Sequence, residues 1–240
     1  MIALAAIGLV SNVAAEETKP AEEKKAWSLD TGMGVYTDYM FRGFNLYDGV
    51  SIQPSANFNY DTGFGTVSAG LFMYLPGEGD RQEEKFVEMD EVLKYSNKFG
   101  PVGFTLGHIW YSYPYSDDDI VDTNEIYAAL SYDTILTPTF TVYEDYREYD
   151  IQYYELTFSH KLTPESMGEG FNITPYVTFA FASNADKVYE DDGLEHVTYG
   201  FSSAVPLGIL TLTPIVSYTS KVDDATVNEF WAGTTVSYTF

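Results

Sequence analysis

The chain contains no cysteine. That excludes a disulfide framework, a CxxC redox centre and a thiolate zinc site, while leaving an oxidising compartment open. Basic side chains are scarce too: 12 Lys and Arg stand against 36 Asp and Glu, a formal charge of −24. Nucleic-acid binders neutralise phosphates with clustered Lys and Arg, so that class is excluded. From Trp27 onward no segment sustains an apolar stripe at i, i+3, i+4 and i+7 for the length of a helix. Glycine-rich phosphate loops are lacking as well. Gly32-Met33-Gly34 sits inside an alternating run and Gly77-Glu78-Gly79 in an acidic one that would repel phosphate, so no nucleotide or other cofactor is expected. What the chain has in excess is aromatic: 21 Tyr, 16 Phe and 3 Trp, more than a chain unable to bury apolar area would carry.

Ile2 to Val10 is an apolar run too short to span a bilayer, which takes about 20 residues. It is followed by Val13-Ala14-Ala15, small residues that suit cleavage after Ala15, so residues 1–15 read as the end of a secretory signal peptide. It lacks a positively charged start. Residues 16–26 (EETKPAEEKKA) form a charged flexible spacer, and a single folded domain is expected over 27–240.

Within that domain the period is two. In the first run Trp27, Leu29, Met33, Val35, Tyr39 and Phe41 fall on one face, and Ser28, Asp30, Gly32, Gly34, Asp38 and Arg42 on the other. Ile52, Phe58 and Tyr60 against Ser51, Gln53 and Asn57 repeat the pattern, as do Val67 and Leu71 against Ser68 and Gly70. About twelve strands result, ten if the weaker runs fail: 27–42, 50–60, 65–75, 86–96, 102–113, 124–133, 138–146, 152–161, 171–182, 194–205, 208–219 and 227–240. The faces of the fourth run are ambiguous. Connections alternate between short ones (61–63, 97–101, 133–137, 206–207) and longer, mostly acidic ones (76–85, 114–123, 183–193, 221–226), with 163–170 longer than its set requires. Short turns at one end and long loops at the other, with an even strand number, predict an all-β fold. It is an antiparallel transmembrane β-barrel with periplasmic turns and acidic extracellular loops, in the bacterial outer membrane. Closure satisfies every backbone donor and acceptor in lipid, which an open sheet does not. Outer-membrane lipid and lipopolysaccharide are the expected surroundings.

Tyr36-Thr37-Asp38-Tyr39-Met40-Phe41-Arg42-Gly43, then Tyr111 to Pro114 (YSYP), then Asn124 to Tyr132 (NEIYAALSY), the polar run after Asp48-Gly49 and the terminal Phe240 come in an order that resembles the TorF-like porin family of proteobacterial outer-membrane proteins. The resemblance implies an antiparallel transmembrane barrel. Phe240 ending an alternating strand resembles the terminal signal read by the barrel-insertion machinery, which makes that machinery an expected partner. The loops are richer in Asp and Glu than the family pattern leads one to expect, so no solute preference carries over.

On the predicted lumen face, Asp30, Asp38 and Arg42 come together on the first strand, and Glu125, Glu155 and Lys161 on later ones. A buried Arg needs a partner, and Asp38, Glu125 or Glu155 could supply it. The pair would act either as a constriction charge that sets selectivity or as an interior strut that fixes the first loop. Asp117, Asp118 and Asp119 offer oxygen ligands for a hard cation, without the glycine and terminal Glu of a calcium loop, so no metal is expected. His108 and His160 fall on predicted outer faces, and no serine sits in a nucleophile elbow, so no enzyme is expected. The function expected is passive diffusion of small hydrophilic solutes or ions, with a preference for cations. A non-conducting structural or adhesion barrel acting through its acidic loops is the alternative, and a barrel hydrolase the third.

Overall fold

The computed structural model describes residues 25–77, 87–114, 121–164 and 171–240. The expected signal segment, most of the spacer and Asp117 to Asp119 lie outside the described residues. Twelve antiparallel strands close into one barrel: β1 (Trp27–Phe41), β2 (Phe44–Asp61), β3 (Thr66–Pro76), β4 (Glu88–Phe99), β5 (Val102–Ser112), β6 (Thr123–Tyr132), β7 (Thr139–Asp145), β8 (Gln152–Ser159), β9 (Asn172–Ser183), β10 (Gly193–Leu207), β11 (Leu210–Lys221) and β12 (Glu229–Thr239). Every strand pairs with its sequence neighbours. The seam is β1 against β12, in register from Asp30↔Thr239 to Tyr36↔Gly233, and the Phe240 N–H donates to the Leu29 carbonyl at 2.9 Å. The last residue therefore helps to close the barrel.

The faces follow from the solvent on each side. Met33, Phe58, Leu71, Leu106, Ile126 and Leu130 point outward and are exposed, an arrangement that water would penalise and lipid rewards. Aromatic side chains mark both rims of this belt, with Trp27, Tyr60, Phe99 and Tyr132 near the termini and Trp110, Tyr146 and Phe230 at the other end. Ser51, Ser68, Ser217 and Thr219 point inward and are buried. Inward hydroxyls pair across strands: Thr157 with Thr178 at 2.8 Å, Thr198 with Thr219 at 3.0 Å and Ser96 with Thr105 at 2.9 Å. The fourth strand resolves the same way, since Glu88, Asp90 and Val92 are buried inside while Glu91 and Leu93 are exposed outside.

The connections alternate as expected, with one exception. The connections that follow β2, β4, β6, β8 and β10 lie at the end that holds both Trp27 and Phe240, the periplasmic end. The external end carries the connections that follow β3, β5, β7, β9 and β11. The first external connection is only two residues long, Arg42-Gly43, and β2 starts at Phe44 rather than near residue 50. Both turn residues have positive φ, 44° at Arg42 and 87° at Gly43, as a type I′ hairpin requires.

The upper part of this hairpin departs from the alternation. The β1–β2 register runs evenly from Trp27↔Tyr60 to Tyr36↔Ser51, then shifts between Tyr36 and Asp38 and again between Tyr39 and Met40. Each irregularity bends the strand and resets which side chains point inward. Tyr39 and Phe41, expected on the oily outer face with Trp27 and Met33, are instead 2% and 3% exposed inside the barrel. Replacing Leu71 by Arg should destabilise the refolded barrel by about 2–4 kcal/mol, as charges near the bilayer midplane do, whereas Ser68→Asp, inside and opposite Lys94, should cost less than about 1 kcal/mol. Urea unfolding in lipid vesicles measures both; equal losses would refute the face assignment.

Candidate functional site at the external mouth

The barrel's packed core lies in the external half of its lumen. Phe41, Ile109, Tyr111, Tyr149, Ile151 and Tyr153 form one buried cluster, and Tyr39, Tyr47 and Tyr74 a second, with Tyr39 stacked on Tyr74 at 4.1 Å between ring centroids. Tyr149 and Ile151 reach it from the connection after β7. That connection is shaped by Asp145, whose Oδ1 accepts the backbone N–H groups of Arg147, Glu148 and Tyr149 at 3.0 Å each, while its Oδ2 accepts the Thr123 hydroxyl at 2.6 Å. Tyr189 reaches it from the connection after β9. Burial pushes the Tyr149 phenol up to about 12 and raises Tyr189 further above its ordinary value, so both hydroxyls stay protonated donors at neutral pH.

Arg42 stands at the centre of this packing. Its side chain runs from the tip of the β1–β2 hairpin to β6, on the far side of the barrel, where its two terminal nitrogens hold Glu125 in a fork at 2.7 and 2.8 Å. Three ion pairs form among the described residues, and this one alone is buried, with side-chain exposures of 5% and 0%. The Tyr111 hydroxyl donates to Glu125 Oε2 at 2.8 Å and fixes the carboxylate's orientation. The guanidinium carbon lies 4.3 Å from the Tyr153 ring centroid, 4.6 Å from Tyr143 and 4.8 Å from Phe41, within cation–π range. The Tyr153 hydroxyl is in turn held by His196 Nε2 at 2.9 Å.

The turn itself is seated on the surrounding loops. The Tyr189 hydroxyl donates to the Arg42 carbonyl at 3.0 Å, and the Val227 N–H donates to the Gly43 carbonyl at 2.9 Å. A Cβ on Gly43 would come within 2.6 Å of the His196 ring and 2.9 Å of Thr226, so no other residue fits there. The hairpin tip thus lies folded over the mouth, pressed against β10 and the connection after β11, with Arg42 bridging the remaining gap.

Of the residues singled out from sequence, Arg42 and Glu125 are brought together, and Glu155 lies on the same inward face of β8 as Tyr153, one step nearer the periplasm. Asp38 stays within the hairpin and accepts from Asn45 Nδ2 at 3.2 Å. Asp30 sits at the periplasmic end, accepting from Asn59 at 2.7 Å and from Thr239 at 2.7 Å. Lys161 does not belong to the group: β8 ends at Ser159, and Lys161 is exposed in the following connection, because the alternation was extended two residues too far. Sequence reasoning missed Glu88, Asp90 and His196. Glu88 receives the Tyr39 hydroxyl at 2.8 Å, and all three are at least 96% buried. The signal for the two carboxylates is the inward face of β4, which Glu88 and Asp90 share with Val92.

No protein-family model matches the chain, and no curated protein matches it in sequence. Solved structures do match in fold. LpxR from Salmonella typhimurium superposes with a TM-score of 0.56 at 8% identity, over 88% of this chain and 99% of that one. The NanC porin gives 0.51 at 11% identity, over 88% and 98%. The likeness is one of architecture, the closed outer-membrane barrel, and architecture alone does not fix chemistry.

Removing either partner of the buried pair should cost about 3–5 kcal/mol, because the other is left charged and unpaired. The cycle of Arg42→Ala, Glu125→Gln and the double variant, measured by urea unfolding of refolded protein, should show the double losing clearly less than the sum. Additive losses would mean that the two side chains are not coupled.

Proposed function

We propose that this chain is an outer-membrane channel for small hydrophilic solutes that prefers cations, with its external mouth closed in the present conformation by the β1–β2 hairpin. The observation that carries this reading is the way the mouth is closed. The hairpin tip is secured over the mouth by one ion pair and two hydrogen bonds, beside the tyrosines that reach in from the connections after β7 and β9. Below it the lumen is lined by half-buried hydroxyls and amides such as Thr157, Thr178, Asn57 and Gln53, a surface that water and polar solutes can wet. Its inward charges are mainly carboxylates: Glu88, Asp90, Glu125, Glu155 and Asp30, against Arg42 and Lys94. An acidic, low-dielectric passage raises the local concentration of cations over anions. The acidic loops at the external end act in the same sense. The resemblance to the TorF-like porins supports a channel, without bearing on its preference for cations.

A structural or adhesion barrel that never conducts is the second reading. The aromatic packing of the external half favours it, since a twelve-strand lumen is narrow enough for side chains to fill.

Planar-bilayer recording of the refolded chain separates the two. The wild type should open rarely, with cation preference under a salt gradient. Gly43→Val, which leaves every charge in place but cannot seat on His196, should raise the open probability. Arg42→Ala should raise it about a hundredfold, since losing a buried pair is worth ~3 kcal/mol and each ~1.4 kcal/mol is tenfold. Silence from both variants, in protein that has inserted and shifts on heating, would establish the non-conducting reading.

A further inference from the structure

We propose that Glu125, Tyr143 and Tyr153 form a binding site for the guanidinium or alkylammonium group of a small cationic solute, and that Arg42 occupies it as a tethered surrogate. The inference rests on the channel reading and names the class of solute that the channel would take.

The site belongs to the wall, not to the hairpin. Glu125, Tyr143 and Tyr153 stand on β6, β7 and β8, three consecutive paired strands whose inward faces are fixed by register. Glu125 is positioned by the Tyr111 hydroxyl at 2.8 Å, from the neighbouring wall strand β5, and Tyr153 by His196 at 2.9 Å, from β10. Two ring faces and one oriented carboxylate make a receptor for a flat or tetrahedral cation. Arg42 fills it from the opposite wall, and fills it incompletely. Its Nε is a buried donor without a partner, left unsatisfied because the chain can approach from one direction only. A free guanidinium has no such tether and can turn all its donors toward acceptors.

Arg42 also sits poorly where it is. Its φ of 44° is left-handed, a region strained for an L-residue and one that Asn, Asp or Gly would occupy more easily. Turn chemistry does not explain the arginine, whereas occupancy of the wall site does. When the hairpin lifts, it takes away Arg42 and Phe41 but leaves Glu125 buried, with Glu155 nearby on the same inner wall. That bare acidic site is unfavourable until another cation enters. Anions are excluded by the same charges. Entry of a cationic solute and displacement of the hairpin are thereby coupled: each favours the other.

The test uses methylguanidinium chloride, with sodium chloride as the control, on the refolded full chain in detergent micelles, followed by calorimetry. Arg42→Ala should bind methylguanidinium, and adding Glu125→Gln should weaken binding about tenfold or more, the loss expected for a charged hydrogen-bonded partner. The wild type, whose site is occupied, should bind more weakly than Arg42→Ala. If Arg42→Ala refolds poorly, methylguanidinium but not sodium should restore the yield, and Gly43→Val, which keeps all charges, should bind more tightly than wild type. Binding unaffected by Glu125→Gln, or no binding by Arg42→Ala or Gly43→Val, overturns the proposal. In bilayers, openings of Arg42→Ala that methylguanidinium does not block leave the channel reading standing and sink the site. Calorimetric binding without conductance does the reverse.

Discussion

Everything at the external mouth depends on one guanidinium having a single place to go. A charge taken out of water must meet its opposite at hydrogen-bonding distance, and among the buried carboxylates of this lumen Glu125 receives both terminal nitrogens of Arg42. That requirement fixes the position of the hairpin tip to within the length of one side chain. The tip's position goes with two irregularities in the β1–β2 register, each placing one extra residue on β2 and bending the hairpin. It also dictates the turn, because only a two-residue connection with glycine second brings the chain back against His196 and Thr226. The left-handed conformation imposed on Arg42 is a local cost that the buried contacts offset, the usual sign that a position is held for a reason other than backbone preference.

The ion pair can do this only because the barrel around it is indifferent to it. Eleven hairpin contacts and the β1–β12 seam satisfy the strand backbones, and the outer belt is stabilised by lipid. Neither requires the lumen to be filled in a particular way. The periplasmic half uses that freedom for paired hydroxyls, and the external half for stacked tyrosines that surround carboxylates. Closure of the shell and packing of the mouth thus rest on different groups, although losing one partner of the buried pair still costs the whole barrel stability.

What was legible in the sequence was the part governed by period two. Outward Leu71 and Phe58 and inward Ser68 and Ser51 fall where the alternation puts them, because lipid and water enforce opposite chemistry on the two faces at every step. The long acidic connections were legible for the same reason. Glu125 was one of three carboxylates named as partners for Arg42, but choosing among them requires knowing that the hairpin crosses the lumen. What was not legible is what breaks the period. The extra residues lie on β2, between Asp48 and Ser51 and between Asn45 and Tyr47, and leave no mark in Tyr36 to Met40, so Tyr39 and Phe41 read as lipid-facing. The Arg42-Gly43 turn was hidden by Asp48-Gly49, a stronger turn signal that lies within β2. His196 gave no signal because its role, holding Tyr153 and bearing on Gly43, exists only once the tip has folded inward.

The distribution of charge argues that closure is conditional. A plug that served only to fill space would be built most cheaply from apolar side chains, since replacing a buried ion pair by well-packed hydrophobic residues is often neutral or stabilising. Here the mouth holds Glu88, Asp90, Glu125 and Asp145, all fully buried, and one buried arginine, which pairs with Glu125. If Arg42 is the exchangeable cation proposed for the wall site, any cation able to compete with it for Glu125 weakens the hold on the hairpin. The wall carries the fixed charges and the hairpin carries the exchangeable one. That division fits an opening driven by what arrives at the mouth, with the barrel wall unchanged.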